Sequence, residues 1–127
     1  MEKKIKDLLL QMTAEEKLDF CAGDDTWHTH ALPRLGIPAL TMHDGPHGLR
    51  IRTKQADGRI EQLPATCFPT ASAMANSWNP ELITVAGRTI ADECRAQNTN
   101  ILLGPGVNIK RSPLCGRNFE YYSEDPY

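Results

Sequence analysis

The sequence has no long apolar run and no excess of charge of one sign. Its 127 residues include 14 lysines and arginines against 16 aspartates and glutamates, which gives a formal net charge of −2. This balance provides no cationic field to hold nucleic acid or an anionic membrane surface. The apolar segment at residues 8–10 is too short for a membrane span, which needs about 20 residues, and too short for a signal-peptide core. We therefore expect a cytoplasmic protein without nucleic-acid or membrane partners.

Cysteines and histidines are present, but not in the spacing of a metal site. The four cysteines lie far apart: Cys21, Cys67, Cys94 and Cys115. They form no CxxC pair, so neither a disulfide framework nor a zinc ribbon is indicated. His43 and His47 are four residues apart, but the Asp-Gly-Pro turn between them is incompatible with the helix that would place both on one face. His28 and His30 have no further ligand at a suitable spacing. The sequence predicts no metal site.

The motifs of several other enzyme classes are also missing. The Gly-Pro-Gly sequence at 104–106 does not match GxGxxG, and there is no Walker loop, so nucleotide binding has no support. No GxSxG elbow surrounds Ser72 or Ser112, which argues against a serine hydrolase.

Helix signals are clear in three places. Residues 3–11 place apolar side chains on one side and lysines on the other. The sequence TAEE at 13–16 is a capping box that opens a second short helix, which Gly23 ends. Asn79 and Pro80 suit the N-cap and the first position of a longer helix. An apolar row follows at intervals of four residues: Leu82, Ala86, Ile90 and Cys94.

Two short apolar runs favour buried strands. The first, IPALTM at 37–42, ends at the DGP turn, so Asp44 would lie at the carboxyl end of that strand. The second covers residues 101–103. Residues 45–66 between them are polar and are predicted to be a loop with a tight turn at 56–59. The order strand, loop, helix, strand predicts a βαβ unit with a parallel sheet.

The end of the sequence points to a larger fold. Asp125 and Pro126 are a helix-opening signature with only Tyr127 behind them. Parallel strands usually occur in doubly wound sheets or barrels, and a (β/α)8 barrel needs about 250 residues. We therefore expect an α/β fragment of a larger barrel or sheet.

Three charged residues are the candidate ligand-binding groups. Asp44 and Arg50 flank the stiff sequence GPHGL, and Arg117 lies in the loop after the second strand. Loops that follow parallel strands lie on one rim of an α/β fold, so we expect the three side chains to converge. A carboxylate and two guanidinium forks suit the hydroxyls of a neutral sugar. The alternative is an Asp–Arg ion pair that only rigidifies the turn.

Three long strings cover nearly the whole chain: LPRLGIPALTMHDGPHGLR, ATCFPTASAMANSWNPELI and LLGPGVNIKRSPLCGRNFEYYSEDPY. In this order they closely resemble the amino-terminal barrel domain of glycoside hydrolase family 3, which includes bacterial and fungal β-glucosidases. The resemblance implies a retaining β-glycosidase acting on terminal non-reducing sugars. It also implies sugar-binding roles for Asp44, Arg50 and Arg117.

The resemblance implies a domain organisation as well. Residues 1–127 would be an amino-terminal fragment of the barrel domain, which makes the fold the incomplete amino-terminal part of a (β/α)8 barrel. Residues 1–36 would supply leading helices and a loop, and residues 37–127 the first βα units. An α/β sandwich domain follows the barrel in this family.

The resemblance further implies that this chain alone lacks the catalytic carboxylates. Retaining glycosidases use two carboxyl groups roughly 5 to 5.5 Å apart. The family's nucleophile lies in an SDW-like motif, which residues 1–127 do not contain, and its acid/base comes later still. We expect Glu120 and Glu124 to have no catalytic role, because loop carboxylates beside Arg117 usually only pair. The chain alone should hydrolyse nothing and should need no cofactor.

The expected partners are a small-molecule or oligosaccharide substrate and the remainder of the same polypeptide. The alternative function, from another class, is a non-catalytic carbohydrate-binding or regulatory module that keeps the sugar-contacting residues without the chemistry.

Overall fold

The computed structural model describes residues 1–125 and divides into two compact units, residues 1–42 and residues 43 onward. The helix expected to open at Pro126 lies outside the described residues. Four α-helices and four short strands occur in the described part: α1 (Glu2–Gln11), α2 (Ala14–Ala22), β1 (Met42–Asp44), β2 (Arg52–Lys54), β3 (Ile60–Gln62), α3 (Ala71–Ala75), α4 (Pro80–Ala96) and β4 (Ile101–Leu103). None of these helices has the length and apolar character that crossing a bilayer demands.

The first unit confirms both helices predicted at the start of the chain. The Thr13 hydroxyl accepts a hydrogen bond from the Glu16 N–H at 3.1 Å, and the Glu16 carboxylate accepts one from the Thr13 N–H at 2.8 Å, which completes the capping box of α2. Gly23, with φ +79°, ends this helix. The Arg34 guanidinium donates to Glu16 at 2.7 Å and holds the pKa of that carboxyl below its usual range. The cap and the ion pair therefore share one carboxylate.

The strand predicted at 37–42 is wrong in its bounds, because only its last residue belongs to β1. Ile37 and Leu32 exchange backbone hydrogen bonds of 2.8 and 3.1 Å across a tight 3₁₀ turn. Pro38 has no N–H to donate to a strand ladder. The segment therefore folds back on the preceding loop. Asp44 is nevertheless the last residue of β1, as predicted.

The polar loop predicted at 45–66 contains an antiparallel hairpin made of β2 and β3. The tight turn predicted at 56–59 is confirmed at the tip of this hairpin. There the Gln55 N–H donates to the Arg59 carbonyl at 2.7 Å, and Gly58 has φ +84°. The strands gave no signal in the sequence, because each has three residues and most of them are exposed.

Helix α4 and strand β4 begin where the sequence predicts. The Asn79 side chain accepts a hydrogen bond from the Leu82 N–H at 3.0 Å, and Pro80 is the first helical residue. Strand β4 is the hydrogen-bonded neighbour of β1, and α4 lies between them along the chain. The second unit thus combines helices with a few short strands, and β1 and β4 share a sheet.

A small apolar core supports the second unit. Its buried side chains are Leu49, Ile51, Ile90 and Cys94, and Leu63, Phe68 and Leu102 pack against them. Of the apolar row predicted on α4, Ile90 and Cys94 are buried, whereas Leu82 is 58% exposed. Leu49 and Ile51 flank Arg50, so the core fixes the end of the turn that carries this arginine.

The burial of Cys94 leads to a prediction about thiol reactivity. Burial, together with the nearby Glu93 carboxylate, raises the pKa of the Cys94 thiol. Cys21, Cys67 and Cys115 are exposed. Because the thiolate is the reactive form, we expect iodoacetamide to label Cys94 most slowly in the native protein, with its rate rising only at higher pH. Peptide mass spectrometry after a quenched time course measures each rate.

Unfolding the protein in urea is the control for this experiment, since it should make all four thiols react alike. Native labelling of Cys94 at the rate of Cys115 would contradict its place in the core.

Candidate functional site

The turn from Asp44 to Arg50 is closed by two hydrogen bonds between its end residues. The Arg50 N–H donates to the Asp44 carbonyl at 2.8 Å, and Arg50 Nη2 donates to Asp44 Oδ2 at 2.7 Å. Main chain and side chains therefore fix the carboxylate and the guanidinium together.

Close packing of the main chain holds this turn in place. Gly48 has φ +123°, and a Cβ at this position would collide with the Thr66 carbonyl oxygen. Thr66 is in turn held by Glu93 on α4, whose carboxylate accepts from the Thr66 N–H at 3.1 Å and from its hydroxyl. The loop after β3 thus lies directly against the turn and is tied to the long helix.

Arg117 lies just before a short 3₁₀ helix at 118–120 and pairs with Glu120. Glu120 is buried, whereas the Arg117 side chain is 73% exposed. The hydrogen bond that Arg117 donates to the Glu120 carboxylate raises the pKa of the Arg117 guanidinium above its usual value, so this group stays charged. The expected pairing of Glu120 with arginine is confirmed, whereas Glu124 is exposed and forms no ion pair within residues 1–125.

The structure brings the three predicted site residues together. Asp44, Arg50 and Arg117 all line one cavity of about 500 Å³. Asp44 uses Oδ2 for Arg50, and its Oδ1 accepts no hydrogen bond from any described residue. Likewise, the ion pair with Glu120 uses only Nε of Arg117 among the described contacts. The cavity therefore offers acceptor and donor groups that residues 1–125 do not use among themselves.

The charges around this cavity cancel. Its charged lining residues among the described part of the chain are Asp44, Arg50, Arg117 and Glu120. They form two ion pairs, one across the turn and one beside the 3₁₀ helix. A cavity of this size is typical of small-molecule sites, and its balanced charge suits a neutral ligand.

Three histidines have polar contacts with other residues, and the contact of His30 is too long for a hydrogen bond. His28 Nδ1 lies 2.9 Å from Asp25 Oδ2, and His30 Nδ1 lies 3.6 Å from Asp24 Oδ1. His47 accepts a backbone hydrogen bond. Within residues 1–125, no group of three or more histidine, cysteine or acidic side chains is arranged to hold a metal ion.

His47 and Thr66 are among the lining residues that the sequence did not predict for the site. The sequence signal for His47 is its position inside GPHGL, between Asp44 and Arg50. Thr66 lies in a loop without any motif, and its place depends on contacts with the turn and with α4.

Comparison with known proteins identifies the family. The model of the Glycosyl hydrolase family 3 N terminal domain matches residues 24–127. The chain belongs to glycoside hydrolase family 3. This confirms the resemblance seen in the sequence.

Three relatives illustrate how similar this family 3 chain is to known members. It is 55% identical over 129 aligned positions to Thermostable beta-glucosidase B of Acetivibrio thermocellus, an alignment that covers 100% of this chain. It is 48% identical over 126 positions, 97% of this chain, to the exo-alpha-(1->6)-L-arabinopyranosidase of Bifidobacterium longum. The structure of beta-glucosidase 3B from Thermotoga neapolitana in complex with glucose matches with a TM-score of 0.79 and 38% identity over 97% of this chain.

This family 3 chain spans only a small part of these proteins. The alignments cover 17% of the Acetivibrio enzyme, 16% of the Bifidobacterium enzyme and 19% of the Thermotoga chain. It therefore corresponds to a portion of the relatives that it matches.

Proposed function

We propose that this chain is the sugar-binding amino-terminal portion of a retaining, β-glucosidase-like glycosidase that hydrolyses terminal non-reducing β-linked sugars. One observation carries the proposal: Asp44, Arg50 and Arg117 line a single cavity whose charges cancel. Unused donors and acceptors around a neutral cavity suit a polyhydroxylated, uncharged ligand. The glucose bound in the Thermotoga relative supports this ligand class.

Each of the three residues has a distinct task in this proposal. The Asp44 carboxylate accepts hydrogen bonds from sugar hydroxyls through its unused oxygen. Arg50 holds that carboxylate from one side and donates its other N–H groups to the ligand. Arg117, anchored through Nε by Glu120, presents its terminal N–H groups. Because their partners hold these groups before the sugar arrives, little ordering is needed on binding.

The catalytic carboxylates come from elsewhere in the polypeptide under this proposal. A retaining glycosidase needs a nucleophile and an acid/base on either side of the bond that is cleaved. Glu120 is buried and paired with Arg117, which makes it unsuited to either task. We assign both roles to the remainder of the polypeptide, and this chemistry requires no metal or organic cofactor.

The same proposal extends to the fold and the location of the protein. The neighbouring strands β1 and β4, with α4 between them along the chain, are compatible with the first parallel strands of a (β/α)8 barrel. The balanced charge and the lack of a long apolar segment in the sequence favour the cytoplasm as the site of action.

Hydrolysis assays on the full-length polypeptide that carries residues 1–127 test the proposed function. The substrates are an aryl β-glucoside, β-xyloside, β-N-acetylglucosaminide and α-L-arabinopyranoside. The last is included because the Bifidobacterium relative is an exo-alpha-(1->6)-L-arabinopyranosidase. We expect release of the aryl group from the β-glucoside, with β-glucose as the first product seen by ¹H NMR, and no release by residues 1–127 alone. Sugar binding without any hydrolysis by the full-length polypeptide would favour a non-catalytic carbohydrate-binding module instead.

A further inference from the structure

His47 links the turn at 44–50 by hydrogen bonds to the segment that follows β3. Its carbonyl oxygen accepts a hydrogen bond from the Phe68 N–H at 2.8 Å. Its ring nitrogen Nε2 accepts another from the Ala71 N–H at 3.0 Å. His47 is thus hydrogen-bonded through both its main chain and its side chain to residues 68–71, more than twenty positions away.

The His47 ring also contacts the segment that carries Arg117. Its centroid lies 5.8 Å from that of Phe119, with the two rings tilted by 50°. Phe119 follows Arg117 by two residues, and both line the cavity together with His47. The imidazole therefore connects the turn at 44–50 to the segment that carries Arg117.

The hydrogen bond from the Ala71 N–H defines the tautomer of the neutral ring. A nitrogen that accepts an N–H hydrogen bond carries no proton, so the neutral ring carries its proton on Nδ1. Ala71 is only 1% exposed. Its N–H lies at the start of α3, where backbone donors have no acceptor within the helix. Without the imidazole this buried donor would have no acceptor, because water does not reach it.

We propose that His47 is a positioning residue for sugar binding. Its neutral Nδ1–H tautomer fixes the turn between Asp44 and Arg50 against α3 and so holds the carboxylate and the guanidinium at the distance from Arg117 that a sugar requires. This inference rests on the proposed function of the cavity, and it adds a residue whose side chain acts through the turn.

Two substitutions at this position separate the hydrogen bond from simple packing. His47→Gln keeps an acceptor oxygen that can reach the Ala71 N–H, whereas His47→Leu fills similar space without an acceptor. Both are made in the full-length polypeptide, together with Asp44→Ala. The readouts are kcat/KM for an aryl β-glucoside and the inhibition constant of glucose, normalised to active sites, at a temperature well below the melting temperature of every variant.

We expect His47→Leu to lower kcat/KM and to weaken glucose inhibition by about tenfold, since an unpaired buried donor distorts the turn. His47→Gln should stay within about twofold of the unchanged protein, since it restores the acceptor. ¹⁵N NMR of histidine-labelled protein should show one ring with an unprotonated Nε2, and this signal should vanish in His47→Gln.

Several results would overturn the proposal. One is a His47→Leu variant with a lower melting temperature but unchanged kcat/KM and glucose inhibition. Another is an equal loss of kcat/KM in His47→Leu and His47→Gln. The third is an NMR spectrum in which Nε2 of His47 carries the proton. The Asp44→Ala variant distinguishes a failure of the role of His47 from a failure of the proposed sugar site. If Asp44→Ala weakens glucose inhibition and His47→Leu does not, only the role of His47 fails; if neither does, the sugar site itself fails.

Discussion

Replacing Asp44 by alanine in the full-length polypeptide is expected to lower kcat/KM for an aryl β-glucoside by about two orders of magnitude, on the order of 3 kcal/mol of transition-state stabilisation. The variant removes an acceptor that Arg50 fixes in place, and it leaves that guanidinium without its ion-pair partner beside the cavity. Hydroxyl groups of the sugar would then face an arginine where they had met a carboxylate. Steady-state kinetics with the β-glucoside measure the loss.

The hairpin supplies a matched control for this experiment. Asp57 forms the same kind of ion pair at a turn, with its Oδ2 at 2.6 Å from Arg59 Nε, but it is not among the described residues that line the cavity. Asp57→Ala should therefore leave kcat/KM unchanged. If Asp44→Ala behaves like Asp57→Ala, the pair of Asp44 and Arg50 serves only to rigidify its turn.

Gly48→Ala is expected to have the second largest effect, a destabilisation of about 3 kcal/mol or more. Gly48 has φ +123°, which side chains rarely adopt, and the added methyl group would collide with the Thr66 carbonyl oxygen. Neither segment of this contact can move freely, because Glu93 holds Thr66 and the core holds Leu49. The full-length variant should have a lower apparent melting temperature and should be inhibited more weakly by glucose.

Gly58→Ala measures the cost of placing a side chain at a positive φ without a steric collision. Gly58 also has a positive φ, +84°, but a Cβ there would meet nothing within 4 Å. Only the conformational cost of about 1 to 2 kcal/mol remains at this position. A Gly48→Ala variant as stable as Gly58→Ala would show that the turn does not pack against Thr66 as described.

The elements that could be predicted from the sequence are those with local signals. The capping box of Thr13 and Glu16 and the Asn79–Pro80 helix start are decided by residues three or four positions apart, and both helices begin there. The turn at Gly58 follows from the same kind of short-range chemistry.

The elements that were missed depend on partners distant in the sequence. Residues 37–41 look like a strand by composition, but their backbone pairing is limited to isolated bridges, between Ile37 and Leu32 and between Thr41 and His28. The hairpin strands of three mostly exposed residues are stabilised by each other, and no alternation of apolar residues marks them.

The candidate site shows the same division. The carboxylate and guanidinium groups of Asp44, Arg50 and Arg117 were predicted, because strand ends and stiff turns mark such residues in a sequence. The residues that hold these groups in place could not be predicted from the sequence. The tie between Thr66 and Glu93 spans 27 positions, and the one between His47 and Ala71 spans 24, so no local pattern reveals either.

The tip of the β2–β3 hairpin is a convenient attachment point on this protein. Residues 56–58 are exposed, and their turn is closed by the hydrogen bond between Gln55 and Arg59. Exposed turns of this kind accept inserted residues at small entropic cost. A fluorescent label or a short epitope placed there would allow the protein to be immobilised or tracked while the cavity lined by Asp44, Arg50 and Arg117 stays open.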